Sequence, residues 1–95
     1  MENVHSTQYE IHFGRLTVKV DTRKKDCQNV RPHCHVYICD HQIGEIWFDP
    51  MVMFKNDEIP PELHTGEAFD ILDAVENEKM PLLDAFFHNK KYGDE

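Results

Sequence analysis

The stretch from Arg31 to Asp49, RPHCHVYICDHQIGEIWFD, in which two histidines alternate with small apolar residues, reads as a β-hairpin. Residues two apart share a face of an extended chain. Cys34, Val36 and Ile38 fall on one side of the first arm, and His33, His35, Tyr37 and Cys39 on the other. On the second arm Gly44, Ile46 and Phe48 oppose Ile43, Glu45, Trp47 and Asp49. A three-residue turn through Asp40, His41 and Gln42 sets Val36 opposite Ile46 and Cys34 opposite Phe48. It leaves one face wholly apolar, which burial selects. The same register sets His33 opposite Asp49, His35 opposite Trp47 and Tyr37 opposite Glu45.

Upstream, Tyr9, Ile11 and Phe13 share one parity, and Leu16, Val18 and Val20 share the other. The phase changes at Gly14-Arg15, so this stretch is a bulged strand or a short hairpin. Residues 21–30 are polar and aperiodic and read as a loop. Residues 1–8 read as a frayed tail. After Asp49-Pro50, the run Met51–Phe54 suits a further edge strand, and Pro60-Pro61 a stiff lead-in. Thr65 then caps a helix over about 66–79, with Ala68, Ile71, Leu72 and Val75 as its apolar stripe. Pro81 starts a second helix that buries Leu82, Leu83, Phe86 and Phe87, carries Lys90 and Lys91 in its last turn, and stops at Gly93. The expected architecture is α+β: one domain, two layers, an antiparallel sheet of three or four strands with two C-terminal helices on one face.

Composition narrows the class. Ninety-five residues, 40% of them hydrophobic, suit a single globular core. No apolar run is long enough to span a membrane, and no signal-peptide pattern opens the chain. Cys27, Cys34 and Cys39 are an odd set without CxxC spacing, which points to a reducing, cytoplasmic setting. Cys27 reads as an exposed thiol of ordinary reactivity. The net charge of −8 arises in the second half: residues 49–95 carry four Lys/Arg against twelve Asp/Glu, while residues 1–48 carry six of each. General binding to a nucleic-acid backbone is disfavoured on that balance.

Two surfaces carry candidate chemistry. His33 and His35 at i and i+2 on one strand face can reach one divalent ion, with Asp49 and Glu45 across the hairpin as carboxylate partners. The first helix bears Glu67, Asp70, Asp73 and Glu76 at intervals of three, a solubilising face or a docking surface for a basic protein. Tyr37 and Trp47 add aromatic contacts. No nucleophile elbow, phosphate loop or dinucleotide fingerprint is present.

The run Pro32-His33-Cys34-His35-Val36, the following hairpin, Ile59-Pro60-Pro61 and two terminal helices resemble a family of small bacterial proteins, the domain of unknown function numbered 4160, over about residues 31–88. That family's pattern begins Pro-His-Phe-His-Val. Cys34 replaces its aromatic residue, and Phe86-Phe87 stands where it has a tryptophan. The resemblance implies a small regulatory or interaction protein, with His33 and His35 as the matching candidates. The leading expectation is therefore a non-enzymatic interaction protein of bacterial or phage origin, such as an inhibitor or toxin–antitoxin component. The alternatives are a metal-binding domain or metal-dependent hydrolase, and then a nucleic-acid regulator using Arg23, Lys24, Lys25 and Arg31. Either no cofactor or one divalent ion is expected, and a homodimer through the Met51–Phe54 edge is compatible with the pattern.

Overall fold

A computed structural model of the chain describes residues 6–94. Five antiparallel strands form a meander in sequence order: β1 (Glu10–Phe13), β2 (Leu16–Lys19), β3 (His33–Ile38), β4 (His41–Trp47) and β5 (Met53–Phe54). The phase change at Gly14-Arg15 is a tight hairpin turn. Gly14 there has φ +59, a value that glycine reaches without Cβ strain. That hairpin raises the strand number to five, above the three or four expected, and β5 is an edge strand as expected.

Two helices follow, α2 (Thr65–Asn77) and α3 (Lys79–Tyr92), separated by Glu78 alone. A one-turn helix, α1 (Lys24–Cys27), interrupts the stretch read as loop. The core lies between the sheet's inner face and the two long helices. Leu16, Val18, Cys34, Val36, Ile46 and Phe48 meet Ala68, Ile71, Val75, Leu82 and Phe86. The α+β, two-layer arrangement is the one that the periodicities predict. Among the described residues, no helix is long and apolar enough to cross a membrane.

Three local readings change. The hairpin register is two residues tighter than expected: Cys34 pairs with Ile46, His35 with Glu45 and His33 with Trp47. A two-residue turn at Cys39-Asp40 and a bulge between Val36 and Tyr37 produce it, and Cys39 adopts φ +56. From His33 to Val36 the shift is an even number of residues, so these side chains keep their face and Val36 is fully buried. Past the bulge it is odd, which turns Gln42 onto the face of His35. Asp49 thereby passes beyond the end of the pairing, and Tyr37 meets Gln42 rather than Glu45.

The cap of α2 is His64, whose backbone N–H donates to Glu67 Oε1, so Thr65 is already inside the helix. Phe87, expected in the core, is 50% exposed; its neighbour Phe86 takes the inward position. Pro81 sits in the first turn of α3, which starts at Lys79. Of the tail 1–8, residues 1–5 lie outside the described residues. Thr7 is fixed at both backbone groups by Asn89 rather than frayed.

The segment that follows α3 is stitched to the start of α1. The Asp94 N–H donates to the Thr22 carbonyl at 2.8 Å, and the Lys24 N–H to the Asp94 carbonyl at 2.8 Å. Gly93 permits this approach. A Cβ at that position would lie 2.6 Å from the Thr22 carbonyl oxygen and 2.8 Å from the Lys24 nitrogen. Its φ of −66 is ordinary, so space rather than backbone conformation selects glycine here.

Candidate metal centre

The β2–β3 ladder pairs Val18 with Val36 and Lys19 with His35. Continued by two residues, the same register brings Asp21 opposite His33. Alternation turns Val20 inward and Asp21 outward, onto the face that carries both histidines. One carboxylate oxygen, Asp21 Oδ2, consequently meets His33 Nε2 at 2.8 Å and His35 Nε2 at 2.9 Å. The three ligand-type atoms all lie within 4.8 Å of one another.

Each member is held from behind. The Asp21 carbonyl accepts from Asn89 Nδ2 at 2.7 Å and from the Cys27 thiol at 3.6 Å. Asn89 is fully buried, and its amide is saturated: Nδ2 also donates to the Thr7 carbonyl at 2.9 Å, and Oδ1 accepts the Thr7 N–H at 2.7 Å. His33 is 6% exposed, and its ring meets Phe86 edge-on at 5.3 Å between centroids. His33 Nδ1 faces the Arg31 carbonyl at 2.8 Å, and His35 Nδ1 faces Gln42 Nε2 at 2.8 Å.

These partners decide the protons. A carbonyl only accepts, so His33 Nδ1 carries hydrogen. For Nε2 to donate to Asp21 as well, His33 must be an imidazolium. Burial opposes that charge, but the hydrogen bond to Asp21, with the Arg31 carbonyl, overrides it and raises the His33 pKa. At His35 the Gln42 amide faces Nδ1 and the Asp21 carboxylate faces Nε2. Burial likewise disfavours the Asp21 carboxylate, yet the hydrogen bonds from the two imidazoles hold its pKa far below the usual range.

The cluster opens onto a cleft of about 630 Å³ whose walls include Arg31, Gln42, Glu45, Trp47 and Lys55. Glu45 accepts from the Trp47 indole at 2.7 Å and stands 3.8 Å from His35 Nδ1, on the side away from Asp21. The Arg31 guanidinium stacks on the Trp47 ring at 4.6 Å.

Of the carboxylates proposed from sequence, Glu45 is therefore a neighbour of the cluster, behind His35. Asp49 is exposed, and its backbone carbonyl receives the Arg31 guanidinium. Tyr37 lies under Lys19, 5.1 Å from ring centre to ammonium. On α2, Asp70, Asp73 and Glu76 are exposed, whereas Glu67 forms a bidentate pair with Arg15 at 2.9 Å.

The residues missed from sequence are Asp21, Gln42 and Asn89. Asp21 had a signal, its parity immediately after Leu16-Thr17-Val18-Lys19-Val20. Asn89 had none. Cys27 is buried, and burial and the Asp21 charge push its thiol up to about 11, the reverse of an ordinary exposed thiol.

Comparison with family models, curated proteins and solved structures returned no match for this chain.

Proposed function

We propose that the protein binds one divalent transition-metal ion through Asp21 Oδ2, His33 Nε2 and His35 Nε2, and that the ion serves hydrolytic chemistry in the adjoining cleft. The observation that carries this reading is the convergence of two imidazole nitrogens on one carboxylate oxygen, with each ring's other nitrogen already engaged. A metal-bound histidine ordinarily donates its other ring N–H to a carbonyl, carboxylate or water, as His33 Nδ1 does to the Arg31 carbonyl. An ion with bonds of about 2.0–2.1 Å separates its ligand atoms by roughly 3.0–3.4 Å, so the O···N contacts need open by only a few tenths of an ångström. Two histidines and one carboxylate leave coordination positions free for water and substrate, and such an ion polarises a substrate oxygen or acidifies a bound water.

Residues Gln42 and Glu45 are the outer partners of His35. A turned Gln42 amide accepts from Nδ1–H and frees Nε2 for the ion. A reducing, cytoplasmic setting belongs to the same reading, supported by three free cysteines, two of them buried. The interaction-protein reading has less support, because the acidic face of α2 carries no feature that selects a particular partner.

Calorimetric titration of chelator-treated protein with zinc or manganese tests the proposal. One equivalent should bind and raise the melting temperature. His35→Ala and Asp21→Asn should weaken binding at least about 100-fold, and Gln42→Ala about 10-fold, the range for ligands and their outer partners. Absence of stoichiometric uptake by the wild-type chain, with no thermal shift, would falsify the assignment.

A further inference from the structure

The protein is acidic overall, yet its cations are not spread evenly. Six of its ten Lys/Arg are Arg23, Lys24, Lys25, Arg31, Lys90 and Lys91. The fold gathers them, because α1 packs against the last turns of α3. The Gln28 amide donates to the Lys90 carbonyl, and Asp94 pairs with Arg23. Lys24, Lys90 and Lys91 line one depression around Phe87. A second depression, lined by Phe87, Lys90, Val30 and Arg31 with one acidic residue, Asp49, continues the first. Val30 and Arg31 also line the metal cleft. A cationic track thus runs from the C-terminal end of α3, across an exposed phenylalanine, to the side chains around Asp21, His33 and His35.

We infer that this track binds the backbone of a single-stranded nucleic acid and leads its phosphodiesters to the proposed metal centre. The track stands on its own geometry, while the role of the strand as substrate rests on the metal reading. Three features favour this polyanion.

Phe87 is half exposed and Val30 is 45% exposed in the middle of the cations, the arrangement that stacks a base while ammonium groups hold the phosphates. An acidic peptide would match the charges but has no flat face for that ring. The track also continues from the depressions at Phe87 into the cleft through the shared Val30 and Arg31, a path that an extended, flexible strand can follow. The net charge of −8 does not cancel the track. The molecule extends 46 Å along its longest axis, while charges beyond about 8–10 Å are screened at physiological salt.

The test is fluorescence anisotropy with a labelled oligouridine and an oligothymidine of about 12 nucleotides, within the range single-stranded sites cover. It is run with and without manganese, beside a metal titration of the same wild-type protein. Both strands should bind. Four phosphate contacts predict a roughly fifty-fold loss of affinity between 50 and 200 mM salt, at a slope of about 0.7 per phosphate.

Lys90→Glu with Lys91→Glu should abolish binding. Phe87→Ala should weaken it about 5- to 100-fold, the range for one stacked base. Phe87 is half exposed and the lysines lie on the surface, so circular dichroism will report an intact fold. No binding at 50 mM salt by a protein that takes up metal overturns this inference and leaves the metal reading standing. Strand binding without metal uptake overturns the substrate role and the metal reading, and supports the track alone. Equal binding of poly-glutamate, or binding untouched by the lysine changes, rejects nucleic acid as the occupant.

Discussion

Asn89 makes three hydrogen bonds through one buried amide: two donated to the carbonyls of Thr7 and Asp21, and one accepted from the Thr7 N–H. Asn89→Ala therefore leaves the Thr7 carbonyl and N–H without their partner, reduces the Asp21 carbonyl to the weak Cys27 thiol donor, and opens a void. A loss of about 2–4 kcal/mol in urea unfolding is expected, since each unsatisfied buried group costs about 1–3 kcal/mol and relaxation recovers part of the total. Asn89→Asp should be at least as harmful, because a carboxylate oxygen would then face two carbonyl oxygens. Asp21 lies one bond beyond this network, so the same variants should weaken metal uptake without touching a ligand. Neither role of Asn89 was legible from sequence. An asparagine three residues from the end of a helix, between His88 and Lys90, looks like solvent-facing filler until the segment ahead of β1 is laid against it.

At the level of elements, the hairpin faces, the two long helices and the break at Gly14-Arg15 were legible because each rests on periodicity or on one glycine, while that break left bulge and turn open and α1 carried no signal. The hairpin register was not legible. Pairings that differ by two residues bury the same side chains, and only the bulge at Val36/Tyr37 and the short turn at Cys39-Asp40 separate them. One of the three ligands of the candidate site, Asp21, shared that fate. His33 and His35 announce themselves on one strand, but their carboxylate comes from the end of another, and the β2–β3 pairing spans a connection that holds α1.

Phe87 was misplaced because the inward stripe of α3 runs through Leu82, Ala85, Phe86 and Asn89, and Phe87 falls one position beyond it. Gly93 marks where α3 meets that same connection, and it yields a prediction at this scale. Gly93→Ala drives a methyl into the Thr22 carbonyl and the Lys24 amide. It should cost about 1–3 kcal/mol, the usual penalty of forced overpacking, and raise hydrogen exchange at Lys24 and Asp94 before it affects β4.

Across the whole molecule, Arg15 fastens the β1–β2 turn to the start of α2 through Glu67 and the Glu62 carbonyl. The hydrogen bond from Arg15 holds the Glu67 carboxyl down at about 2. In the unfolded chain a glutamate titrates near about 4.3, so between the two values the unfolded state binds more protons and stability rises with pH. The contribution is complete above about pH 4.3 and is lost as the pH falls to about 2. Urea midpoints measured from pH 5 down to pH 2 should show this acid limb, and Glu67→Gln should flatten it. The slope that remains belongs to Asp21, whose carboxyl is also held low.

The bridge from Asn89 to Thr7 has a practical corollary for handling the protein. An amide buried in the last long helix grips a residue near the start of the chain, and through it the carboxylate between the two imidazoles feels both extremities. A bulky fusion or a cut just ahead of Thr7, far from the cleft in sequence, would slacken the grip on Asp21. Preparations differing only in their leader should then differ in how tightly they hold zinc.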